Sequence, residues 1–89
     1  MANDQFPLTL RWGSGEGWWL AFCPQWELGG HGSTKEEAKQ RLCAAIRLKA
    51  QTILQVKDDR PTMEPQMIAV AQQVMANKDR LSELLQEAA

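Results

Sequence analysis

Between Phe22 and Ala38 the chain reads Phe-Cys-Pro-Gln-Trp-Glu-Leu-Gly-Gly-His-Gly-Ser-Thr-Lys-Glu-Glu-Ala, and no other stretch restricts the fold as much. An apolar strand end meets Pro24, which cannot donate to a sheet ladder. Glycines at 29, 30 and 32 then punctuate the chain before a strong helix start. Ser33 with Glu36, or Thr34 with Glu37, forms a capping box, whose side chains satisfy the free N–H groups of a first helical turn. The order is therefore strand, corner, glycine turn, helix.

Residues 6–12 alternate, with Phe6, Leu8, Leu10 and Trp12 on one side and Pro7, Thr9 and Arg11 on the other. That period of two predicts a half-buried strand. Gly13-Ser14-Gly15-Glu16-Gly17 predicts a hairpin loop longer than two residues. Residues 18–23 form the return strand, with Trp18, Leu20 and Phe22 on one face and Trp19, Ala21 and Cys23 on the other. Both faces are apolar, so the strand is central or has a covered outer face. Trp12 and Trp18 are assigned to the inward face, Trp19 to the opposite one. A short third strand falls within residues 27–32.

The first helix runs from 33 to 56, with Ala38, Leu42, Ala45, Ile46, Ile53 and Val56 on one stripe. Lys49 lies inside that stripe, so it either snorkels or marks where the helix has passed the sheet edge. Asp58-Asp59-Arg60-Pro61 through Pro65 breaks the helix, giving a linker over 57–65. Pro65 suits a first helical position, and one continuous second helix is predicted over 66–87. Its Met67, Ala71, Val74, Lys78, Leu81, Leu85 and Ala88 recur at three and four residues, widened by Val70 and Leu84, with a single charged break. The expected fold class is α+β: one domain over 1–89, with a small antiparallel sheet of two to three strands (6–32) followed by two helices.

The chain has 89 residues, and a chain this short buries only about 60–65% of its unfolded surface, so association would add stability. A net charge of −1 provides no bulk attraction to nucleic acid or membrane. The middle segment is basic, with Lys35, Lys39, Arg41, Arg47, Lys49, Lys57 and Arg60 against Glu36, Glu37, Asp58 and Asp59. A solvated helix face accounts for it. Cys23 and Cys43 have no Cys-x-x-Cys spacing, and the N-terminus carries no apolar leader, so a soluble, cytoplasmic protein is expected.

No residue pattern asks for catalysis. His31 is the only histidine and lies between Gly30 and Gly32 with no nucleophile or base in view, Glu27 being the nearest carboxylate in sequence. Cys23, His31 and Cys43 lack zinc spacing. Gly13, Gly15 and Gly17 precede a strand, not a helix, and so lack the N–H groups of a phosphate loop. No catalytic residue, cofactor site or metal site is expected, and the chain is read as no enzyme. Four tryptophans in so short a chain are the unusual feature. Tryptophan anchors protein interfaces through its large rigid area, which makes Trp19 and Trp26 interface candidates. Leu81 and Leu85 join them, because the second helix's seam suits either its own domain or another chain. Self-association through that helix or a free strand edge is expected, with Leu81→Asp breaking it.

Over about residues 6–65 the chain resembles the HicB-like antitoxin domain. The resemblance rests on two strands around a Gly/acidic turn, Trp18-Trp19-Leu20-Ala21-Phe22, then Pro24, and Gly32-Ser33-Thr34-x-Glu36-Glu37-Ala38. A helix with Ala45-Ile46 near its middle and Asp58-Asp59-Arg60-Pro61…Pro65 complete it. The segment from Pro24 to Gly32 is about one residue short and lacks the family's Pro-Gly-Cys. The family also places a strand after the Pro-rich turn, then a DNA-reading element, where this chain reads as helix. The resemblance implies a binding module that neutralises a small basic ribonuclease toxin, HicA, by covering it; with no DNA-reading element left in this chain, no direct nucleic-acid contact is expected. Such domains are described as partial ribonuclease H folds, whose nucleases need clustered carboxylates. Asp4, Glu16 and Glu27 fall before, between and after the strands, so nuclease activity is not expected. The alternative is a phage-type inhibitor or adaptor, for example an anti-CRISPR protein, docking on a nucleic-acid enzyme.

Overall fold

The computed structural model describes residues 6–59 and 64–87. The chain is an α+β fold of three antiparallel strands followed by helices. Strands β1 (Arg11–Gly15), β2 (Trp18–Cys23) and β3 (Leu28–Gly32) lie in the order β1-β2-β3. Helix α1 (Lys35–Val56) crosses the sheet, and α2 (Pro65–Ala76) packs on α1. A 3-10 turn, Lys78–Arg80, leads to a short α3 (Leu81–Leu84). Part of the predicted linker (60–63), the seam's Ala88 and Asp4 lie outside the described residues.

The β1–β2 hairpin is tighter and later than the alternation suggested. Gly15 pairs with Trp18, which leaves a two-residue turn, Glu16-Gly17, with Gly17 at φ 80°. Ladder pairing thus falls on the glycine-rich stretch instead of on residues 6–10. Those earlier residues still put Leu8 and Leu10 in the core. The Leu10 amide donates to the Gln86 carbonyl at 3.0 Å, and Leu10 forms a parallel bridge with Glu87. Gln25, from the β2–β3 turn, secures Thr9: its Oε1 accepts from the Thr9 amide (2.9 Å) and its Nε2 donates to Thr9 Oγ1 (2.7 Å).

Helix α1 starts as its sequence dictates. Thr34 is the N-cap, in extended backbone, and its Oγ1 accepts from the Glu37 amide at 3.0 Å. Glu37 Oε1 in turn accepts from the Ser33 amide (2.8 Å) and hydroxyl (3.0 Å), so Ser33 and Thr34 share the capping role. The inner stripe of α1, Ala38, Leu42, Cys43, Ile46, Ala50 and Ile53, is buried. It lies against Ala21, Cys23 and Gly30 of the sheet. Gly30 is the point of closest approach: a Cβ there would drive into the helix backbone at Leu42, Arg41 and Ala38. No side chain larger than hydrogen fits between β3 and α1 at that point.

Two further expectations are corrected. The inward face of β2 carries Trp19, Ala21 and Cys23, because Trp12 pairs with Ala21 and so shares that face; Trp18 is 44% exposed on the other. The second helix is not continuous over 66–87. It ends at Asn77, whose amide donates to the carbonyls of Gln73 and Val74 and whose side chain donates again to Gln73 O at 2.8 Å. The break falls beside Lys78, the charged position in the seam. Re-aiming the chain there leaves Lys78 exposed while Ala71, Val74, Leu81 and Leu85 all reach the core.

Candidate interaction surfaces

Of the four proposed interface residues, three point into the domain. Trp26 is 7% exposed, Leu81 0% and Leu85 1%. In this fold they offer a partner no surface, because the seam of the second helical segment closes on its own core. The burial of Trp26 also explains Lys49. That side chain snorkels over the Trp26 ring, its Nζ 5.6 Å from the centroid and 3.4 Å from the Trp26 carbonyl. A lysine inside an apolar stripe was the available signal that an aromatic lay beneath it.

Trp19 remains half-buried, and β1 brings Trp12 to it. The two rings stand edge to face, centroids 6.2 Å apart and planes 84° apart. Lys35, in the first turn of α1, places its ammonium 5.1 Å from the Trp12 centroid and 4.8 Å from that of Trp19. Two aromatic faces at right angles holding one cation form a pre-organised corner. A groove runs from Trp12 past Lys39 toward Glu83 and Glu87. Glu83 is also within 3.5 Å of Arg80 in an exposed ion pair. The arrangement is an aromatic centre with a polar rim of both signs.

Beside this corner, a network joins the start of α1 to the last strand. Arg41 donates to Glu37 Oε2 (3.0 Å) and to the His31 carbonyl (2.8 Å). The hydrogen bonds from Ser33, and then Arg41, hold the Glu37 carboxyl below its ordinary value. His31 itself is exposed and lies in β3 opposite Leu20, so it faces away from α1.

The opposite side of the sheet carries the largest exposed aromatic. Trp18, Leu20 and Phe22 project from β2 there, and none of them packs against the core. The Trp18 ring lies across Gly15, while Leu20 and Phe22 rest beside Gly29. A third apolar spot, Leu48 at 65% exposure, sits in a groove with Arg47, Met75 and Lys78. Single exposed leucines of this kind are common on soluble surfaces.

Cys23 and Cys43 are buried free thiols, and burial pushes both up from their ordinary value. Among the described residues no group of three or more His, Cys, Asp or Glu side chains is placed to hold a metal ion. Nor is any helix among them long and apolar enough to cross a membrane. Comparison with protein-family models, curated proteins and solved structures gives no match for this chain.

Proposed function

We propose that this chain is a non-catalytic protein-binding module of the HicB antitoxin type, which neutralises a small ribonuclease toxin in the cytoplasm by covering it. The observation that carries the reading is the Trp12–Trp19 corner. Half-buried tryptophans held rigid by a cation between them match the composition of interface hot spots, where large aromatic area is gained at low entropic cost. Further support comes from the order of three strands and a Thr34-capped helix. The buried free thiols suit a reducing compartment.

The test is affinity capture of the tagged chain from its host's lysate at low and moderate salt, with Trp19→Ala in parallel. A small basic ribonuclease retained by the wild type and weakened about tenfold or more by Trp19→Ala supports the reading. Retention of a large nucleoprotein effector instead favours the inhibitor alternative, and a ribonuclease held equally by both forms moves the contact away from this corner.

A further inference from the structure

We propose that the outer face of the sheet is the interface of a homodimer, in which Arg11 of each copy pairs with Glu16 of the other. The register defines three rows on that face. Gly15 and Trp18 form the first, Gly13, Leu20 and His31 the second, and Arg11, Phe22 and Gly29 the third. Glu16 lies one step beyond the first row, in the turn. The glycines keep the flanks low, so Trp18, Leu20 and Phe22 form a single apolar ridge along β2 with Trp18 spread over Gly15. The ridge is apolar, flanked by Arg11 on β1 and His31 on β3, and none of its large side chains belongs to the core.

Its charges are self-complementary. Arg11 and Glu16 are both exposed, and among the described residues neither takes part in an ion pair. A two-fold axis crossing the strands between the first and second rows sets two copies face to face with β2 antiparallel to its mate. Trp18 then lies on Leu20 of the second copy, and conversely. Rows are about 7 Å apart, so the third row is carried one row past the partner's first. Arg11 therefore lands about half a row past the partner's Glu16, within reach of its long side chain, and the symmetry makes this contact twice. Two sheets stacked in this way lie with their strands nearly aligned, the usual arrangement for face-to-face packing.

The size of the face sets the strength. Three strands about 4.8 Å apart and five residues long give a footprint on the order of 250 Å². That is well below the roughly 800 Å² per partner of a standard stable interface. The dimer is therefore reversible and forms at micromolar or higher protein, weakened by salt through its exposed ion pairs. It leaves the Trp12–Trp19 corner, on the other side of the sheet, free.

Sedimentation velocity of the full chain over a concentration series tests this. The wild type is expected to show a concentration-dependent monomer–dimer equilibrium. Trp18→Ala should weaken it about tenfold or more, as loss of a central aromatic anchor does. Arg11→Glu should weaken it as well, and Arg11→Glu with Glu16→Arg should restore dissociation to within about threefold of wild type. Because Arg11 and Glu16 are exposed, this charge exchange keeps the test decisive even where Trp18→Ala disturbs folding. A monomer at millimolar protein overturns the proposal. So does a dimer indifferent to these substitutions, or one that the charge exchange does not rescue. A monomeric chain that loses its captured partner on Trp18→Ala would assign the face to that partner instead, and also overturns it.

Discussion

On the side of the sheet covered by α1, the strands present Ala21, Cys23 and Gly30, whereas on the other side β2 alone presents Trp18, Leu20 and Phe22. The covered face also holds Trp12, Trp19 and Leu28, partly buried against the core, but directly beneath the helix its side chains are small. The difference follows from what each face must accommodate. A helix can approach a sheet until backbones nearly touch only where the strands are small, and its own Leu42, Ile46 and Ile53 then fill the space between. An uncovered face has no such limit, and its large side chains remain half-exposed and available for contact. Size and hydrophobicity alone therefore do not tell the two faces apart.

The sharpest disruption of the covered side is Leu81→Asp. Leu81 is wholly buried, so the substitution places an unpaired carboxylate in the core. The expected loss is about 4 kcal/mol or more, against a total stability of roughly 5–10 kcal/mol for a chain of this size. Circular dichroism and urea titration should find a marginal fold that melts at low urea, not a well-folded monomer. Loss of self-association in this variant would accordingly report unfolding and not a helix interface.

A smaller effect belongs to the junction that seats α1 on the covered face. Thr34→Ala removes the hydroxyl that accepts from the Glu37 amide and should cost about 1 kcal/mol, read from the urea midpoint. Glu37 adds a pH dependence. Its folded-state pKa lies below the ordinary value through Ser33 and Arg41. Its contribution is therefore present above the unfolded-state pKa and lost as pH falls through the depressed folded value. Glu37→Gln should flatten the acid limb of the stability profile while leaving the two-state shape intact.

The smallest effect belongs to the uncovered side. Trp18→Ser should change unfolding free energy by no more than about 0.5 kcal/mol in dilute solution, because the ring touches no core residue. A much larger loss would mean that the outer face is part of the core after all.

How much of this was readable in the sequence depends on how local each determinant is. The Thr34 cap, one of the two the sequence offers, and the stripe through Ala38, Leu42, Ile46 and Ile53 need only their own neighbours and appear in the structure, whereas Ala45 and Val56 of that stripe are half-buried and Cys43 and Ala50 take inner positions. The third strand is found at Leu28–Gly32, within the expected window. The choice of face on β2 was not legible, because 18/20/22 and 19/21/23 are both apolar and alternate identically. It is decided by Gly30, whose role appears only when α1 lies across it. The helix break at Asn77 did leave a trace, an Asn followed by the seam's only charge. The burial of Trp26 required the distant Lys49, and the Trp12–Trp19 corner required a register set by a turn three residues shorter than the glycine run suggested.

Gly29 and Gly30 are adjacent in β3 and face opposite sides of the sheet, so one pair of substitutions examines the whole comparison. The measurement is the thermal and urea unfolding of Gly30→Ala beside Gly29→Ala. At Gly30 the added Cβ meets helix backbone that cannot yield, and a loss of about 3 kcal/mol is expected, near 15 °C in midpoint. At Gly29 it meets the flexible Leu20 side chain at 3.4 Å, and stability should stay within about 0.5 kcal/mol of wild type. Equal losses, or a larger loss at Gly29, would contradict the assignment of one covered and one open face.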